Sequence, residues 1–208
     1  LSEAVDGAGS EGDVVFGVII GTGVGGGISV DRAILEGHQR IAGEWGHNPL
    51  PWPGKGEAPG PECYCGRRGC VETFLSGPGF SGDHRRATGR DWDPPRIVST
   101  AAGGDQGAEA ALDRYAHRLA RSLAVVINIL DPDVIVLGGG MSNLPDLPGR
   151  TQRHLGDFVF TDRVTTPIVV NLHGDSSGVR GAAWLWDPPA RPPVDGGEAS
   201  GTGSSLGG

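Results

Sequence analysis

Apolar positions fall into a few dense runs along this chain. Val14-Val15-Phe16-Gly17-Val18-Ile19-Ile20 is continuously apolar and β-branched, which predicts a buried strand. A glycine-rich run, Gly21-Thr22-Gly23-Val24-Gly25-Gly26-Gly27, follows it. Ile28-Ser29-Val30 predicts a second, short strand, and Asp31-Arg32 a turn into Ala33-Ile34-Leu35. Further on, Val134-Ile135-Val136-Leu137 predicts another buried strand with Gly138-Gly139-Gly140 at its carboxyl end. Pro167-Ile168-Val169-Val170 predicts one more.

The strongest helical period lies between positions 107 and 130. Leu112, Tyr115, Leu119, Leu123, Val126 and Leu130 recur at three- and four-residue steps, with Arg114, Arg118 and Arg121 off that stripe. This predicts an amphipathic helix packed on a sheet, its stripe serving as core and not as a cofactor box. Asp131-Pro132-Asp133 stops it. Shorter helices are expected over 79–88, with a solvated basic pair at Arg85 and Arg86, over 97–102 after a break at 91–95, and over 151–158. Leu1 to Val5 reads like the middle of a helix, ended by Gly7-Ala8-Gly9-Ser10. Asp175 or Ser176 can cap a last helix ending near Trp186. From Asp187 onward Pro, Gly and Ser dominate, so 187–208 reads as a disordered tail. The chain opens without a Met and is expected to begin inside a longer protein.

Composition narrows the picture in three ways. The 208 residues can hold one domain with a real core. The formal charge of -8 argues against a nucleic-acid-binding surface, though not against one anionic nucleotide in a local pocket. No apolar run reaches membrane-spanning length and no signal-peptide pattern opens the chain. With thiolates kept for metal, that points to the cytoplasm. The 38 glycines fall largely between strong apolar runs, so they read as turns and ligand cradles.

The chemistry concentrates between residues 44 and 72. All three cysteines, Cys63, Cys65 and Cys70, lie there, with His47 the nearest upstream histidine. A Cys3His set closes the coordination sphere of a tetrahedral, structural zinc. Rival readings are a disulfide, which would leave one cysteine over and strain a Cys63–Cys65 bridge, or free thiols with an adventitious metal. The C-x-C spacing is shorter than that of common zinc knuckles. Glu44 and Glu72 bracket the set, and the imidazole nitrogen of His47 not used for metal needs an orienting partner, a role open to a ligand hydroxyl.

Gly21 to Gly26 also matches G-x-G-x-x-G. A dinucleotide fold needs a helix after those glycines, whereas this sequence returns to a strand, and no Gly-Lys-Ser/Thr follows for a P-loop. A hairpin turn rich in unshielded backbone N–H groups remains, suited to phosphate oxygens. Gly138 to Gly140, at the end of a strand, sit where open α/β sheets admit a ligand, with adenine or ribose packing one reading and a plain strand-to-helix turn the other.

These segments together resemble the ROK family of sugar kinases and repressors. The resemblance rests on the 21–27 glycines, Gly43-Glu44-Trp45-Gly46-His47, Cys63-x-Cys65-Gly66-x-x-Gly69-Cys70-x-Glu72 and Val134 to Gly140. Residues 44–52 and 174–186 look like the bacterial fructokinase/mannokinase branch. It implies an α/β, actin-like (ribonuclease-H-like) lobe over 1–186 carrying a zinc-bound loop. It implies ATP with Mg2+, transfer of the γ-phosphoryl to the 6-hydroxyl of a hexose (fructose, then mannose), and a homodimer. Carried over by position, His47, Cys63, Cys65 and Cys70 hold zinc, while Glu44, His47 and Glu72 bind sugar hydroxyls. Gly21, Thr22, Gly23, Val24, Gly25, Gly26 and Gly27 meet phosphates, and Gly138, Gly139 and Gly140 border the adenosine. The family's general-base Asp, in an Asn-Asp-Ala-Asn-like segment, and its Asp-x-Gly-x-Thr-like phosphate motif are not in this sequence. Both are expected upstream of Leu1, so these residues alone should be nearly inactive. The sugar-sensing lobe of a ROK repressor, or an inactive zinc-binding remnant, are the alternatives.

Overall fold

A computed structural model describes residues 1–185. Trp186 and the tail expected over 187–208 lie outside them. In chain order the elements are α1 (Ser2–Val5), β1 (Val14–Ile20), β2 (Val24–Val30), β3 (Ala33–Ile34), α2 (Glu72–Leu75), α3 (Gly77–Thr88), α4 (Pro94–Ala102), α5 (Gln106–Leu130), β4 (Val134–Gly138), α6 (Leu147–Leu155), β5 (Ile168–Val170) and α7 (Ser177–Ala183). The five strands form one mixed sheet in the order β3-β2-β1-β4-β5. β1 and β2 are an antiparallel hairpin, and β1 pairs with β4, and β4 with β5, in parallel.

Alternation along β1 decides which face carries the core. Phe16, Val18 and Ile20 point into a large cluster built with Tyr115, Leu119 and Leu123 of α5 and Ile135 and Leu137 of β4. On the opposite face a small cluster of Ala4, Val15, Val134 and Val136 joins α1 to the sheet. Ile19 is not buried as its apolar run suggested: it is 60% exposed at the carboxyl edge of the sheet. Side chains cap the helices where the sequence turns polar: Ser76, Asp93 and Asp105 accept backbone N–H groups of Gly79, Arg96 and Ala108.

Several expected boundaries move for identifiable reasons. β2 begins at Val24 and not at Ile28, because Gly25, Gly26 and Gly27 pair in register with Ile19, Val18 and Gly17. Pro94 and Pro95, taken for part of a break, open α4, where a missing N–H is no loss. α6 spans Leu147–Leu155 and not 151–158, again with a proline in its first turn. The last helix begins at Ser177, and Ser176 at its N-cap makes no side-chain capping bond. Arg118 and Arg121, off the apolar stripe of α5 as expected, are nonetheless buried. They are 6% and 2% exposed, in ion pairs with Glu57 and Asp83.

Candidate active site and metal-ligand cluster

The Glu44-Trp45-Gly46-His47 segment is seated on β2 by close backbone contact. Trp45 is buried, its indole N–H donating to the Gly25 carbonyl at 2.8 Å and its ring meeting Phe16 edge-on at 5.9 Å. A Cβ on Gly46 would lie 2.1 Å from the Val24 carbonyl oxygen, and Gly43, at φ +93°, would meet Gly26 in the same way. Glycine is therefore required where the loop crosses the strand. Part of the 21–27 run serves this packing: only Gly21, Thr22 and Gly23 form the turn between β1 and β2.

Glu72, at the start of α2, closes the arrangement. Its backbone N–H donates to the Gly46 carbonyl at 2.9 Å, and its Oε2 accepts the Val24 N–H at 2.9 Å. Glu72 thus ties the 44–72 segment to the β1–β2 hairpin. A carboxylate making one such bond keeps further acceptor sites.

His47, Cys63, Cys65 and Cys70 come together as expected, their ligand atoms all within 4.8 Å of one another. His47 Nδ1 is 3.5 Å from the Cys63 sulfur, and the Cys65 and Cys70 sulfurs are 3.6 Å apart. Tetrahedral zinc with ordinary bond lengths sets about 3.5 Å between such a nitrogen and sulfur and about 3.8 Å between two sulfurs. The donor set fits that ion in chemistry, and these two pairs fit it in spacing. All three cysteines are free, which removes the disulfide reading. Burial, then the neighbouring Cys65 and Cys63 sulfurs, push the Cys70 thiol up to about 12. The Cys65 thiol is held below its ordinary value, first by the Arg67 backbone N–H. A dication among these sulfurs favours the thiolate at each of them.

The three residues expected to bind sugar share one cavity of about 400 Å³ with the turn: Glu44, His47 and Glu72 line it together with Gly21, Thr22 and Gly23. Val24 and Gly25 also line it. Gly26 and Gly27 do not. They line a second cavity of about 350 Å³ together with Gly138 and Gly139. Ile19 lines both. Gly140 lines neither and opens a short 3-10 turn, Gly140–Asn143. Sequence reasoning missed Tyr64, whose hydroxyl lies 2.8 Å from His47 Nε2 inside the first cavity. Its position as the middle residue of Cys-x-Cys was the available signal.

A family model described as the ROK family matches residues 1–188. The chain belongs to the ROK family. Over 193 residues this ROK chain is 39% identical to the N-acetyl-D-glucosamine kinase of Aliivibrio salmonicida, covering 89% of the chain and 63% of that relative. It thus spans less than two thirds of that protein's length. The ROK hexokinase of Thermus thermophilus superposes with a TM-score of 0.74 at 29% identity, over 88% of this chain and 59% of that one. A ROK glucokinase of Streptomyces griseus, solved with glucose and AMPPNP, gives a TM-score of 0.71 at 25% identity, over 84% and 60%. The α/β fold is therefore the actin-like one that the sequence resemblance implied.

Proposed function

We propose that residues 1–186 are the C-terminal lobe of an ATP-dependent hexose kinase that phosphorylates a sugar 6-hydroxyl. The observation that carries this reading is the cavity that Glu44, His47 and Glu72 line together with the glycine turn. Carboxylates suit sugar hydroxyls because each accepts several hydrogen bonds, and an exposed run of backbone N–H groups suits phosphate. Two adjoining cavities meeting at Ile19 suit a sugar and a nucleotide brought end to end.

ATP with Mg2+, when bound, supplies the γ-phosphoryl group. The chain's own share is positioning, which dominates catalysis of phosphoryl transfer. Glu44 and Glu72 orient the hexose, and Gly21 to Gly25 border the phosphates. Gly26, Gly27, Gly138 and Gly139 border the nucleoside. His47, Cys63, Cys65 and Cys70 hold a structural zinc that leaves no ligand position open. No residue from 1 to 185 is assigned the role of general base. Homodimer formation rests on family likeness alone.

The 39% identity to an N-acetyl-D-glucosamine kinase moves the preferred substrate from fructose to N-acetyl-D-glucosamine. Initial rates of the complete enzyme, measured by coupled release of ADP, test this with N-acetyl-D-glucosamine, glucose, fructose and mannose. The expected result is the highest kcat/KM for N-acetyl-D-glucosamine; a clear preference for fructose overturns the substrate assignment. Absence of sugar-dependent ADP release with all four, from a folded complete protein, overturns the kinase reading and favours the repressor lobe.

A further inference from the structure

Between His47 and Cys63 the chain runs through 48–62 with no helix or strand of its own. Loops of this length inside a domain are uncommon unless something holds them. Backbone bonds to 69–71 hold its two ends, and Glu57 holds its middle. Its carboxylate accepts from Arg118 Nε at 2.7 Å and from one Arg121 nitrogen at 3.0 and 2.8 Å. It also accepts the Gly54 backbone N–H at 2.7 Å, which folds the segment into a local turn. Arg121 donates in addition to the Trp52 carbonyl, and the Trp52 ring packs on Phe158 at 5.3 Å.

The clamp lies one contact away from the metal ligands. Pro61 accepts the Gly69 N–H at 2.8 Å, and Gly69 in turn accepts the Leu50 N–H at 2.8 Å. A Cβ on Gly60 would lie 2.5 Å from the Gly69 Cα, so the two backbones are in direct contact. Gly69 precedes Cys70, and Pro49 bridges to Cys70. Displacing Glu57 therefore displaces the backbone that sets one sulfur against the other three ligands.

We propose that Glu57 is a positioning residue for the metal loop, anchoring its spacer to α5 through Arg118 and Arg121 so that the four ligands stay in register. A buried ion pair adds little net stability, since the desolvation it demands offsets its attraction. Its value here is geometric: two arginines on one rigid helix accept a carboxylate in one orientation. The inference rests on reading His47, Cys63, Cys65 and Cys70 as metal ligands.

Zinc transfer from the complete, zinc-loaded protein to a chromogenic chelator tests it. Glu57→Gln is compared with Asp83→Asn. Asp83 bonds Arg118 and Arg114 on the same helix, so its loss strands the same buried charge without freeing the spacer. Both are measured at the same interval below their own Tm. Glu57→Gln is expected to release zinc about 10-fold faster than Asp83→Asn, the scale typical of losing a residue that orients metal ligands. Equal rates would reduce Glu57 to an ordinary stabilising contact and overturn the proposal. If the protein takes up no zinc, the metal reading has failed, and the clamp is read from thiol exposure instead. Reaction of the cysteines with Ellman's reagent should then be faster in Glu57→Gln than in Asp83→Asn, and equal rates again overturn it.

Discussion

The hydroxyl of Tyr64 lies 2.8 Å from Nε2 of His47, on the far side of the imidazole from the Cys63 sulfur that faces Nδ1. The two ring nitrogens thus have separate partners. With Nδ1 given to a metal, Nε2 carries the single proton, and the tyrosine oxygen accepts it. That proton is the one His47 would offer to a sugar hydroxyl. Tyr64 is 84% exposed and so free to leave its partner without loss of core packing.

Tyr64→Phe should therefore release the Nε2 proton to the sugar. The sugar KM of the complete enzyme is expected to fall by about 2- to 10-fold, the range of one ordinary hydrogen bond, with Tm unchanged. A rise in KM would mean that the phenol touches the sugar directly.

Glu72→Gln should separate the two substrates. The amide keeps an oxygen for the Val24 N–H but loses the charge that strengthens bonds to hydroxyls. The sugar KM is expected to rise by about 10-fold or more while the ATP KM stays within about 2-fold. Equal rises in both would contradict the assignment of Glu72 to the sugar.

Cys65→Ser should remove the metal and loosen the loop. Freshly purified protein is expected to hold about one zinc per chain and the variant well below that, with Tm lowered by several degrees. Substoichiometric zinc in the parent, or an unchanged Tm in the variant, would count against a structural ion.

Glu57 should make stability depend on acid. Burial alone would raise its carboxyl, but bonds from Arg118, the Gly54 N–H and Arg121 outweigh that and hold it at about 2, against 4.5 in the unfolded chain. A group whose folded value is depressed contributes its full share above the unfolded value and loses it as pH falls toward the folded one. Denaturation midpoints should thus fall between pH 4.5 and about 2 more steeply in the parent than in Glu57→Gln. Parallel curves would show that the ion pairs are not formed.

Hydropathy and turn chemistry exposed the sheet well: β1 spans the expected Val14–Ile20, and β4 and β5 fall within a residue of their apolar runs. The juxtaposition of His47, Cys63, Cys65 and Cys70 was also legible, since three cysteines and a histidine fall in one polar stretch. The glycine run was only half read. Sequence shows where a backbone is bare but not what presses against it, and here Gly43 and Gly46 press on β2. The burial of Arg118 and Arg121 went unread for a related reason. A helical stripe counts arginine as solvent-facing, and the partner that buries these two, Glu57, lies in a spacer without pattern, brought near only by the fold.

The most direct measurement is a crystal structure of the complete enzyme grown with N-acetyl-D-glucosamine, with data collected at the zinc edge. The expected result places sugar hydroxyls within hydrogen-bond distance of Glu44, Glu72 and His47 Nε2, with zinc bound by His47 Nδ1 and the sulfurs of Cys63, Cys65 and Cys70. Sugar bound away from those three side chains, or zinc absent from that cluster, would contradict the account.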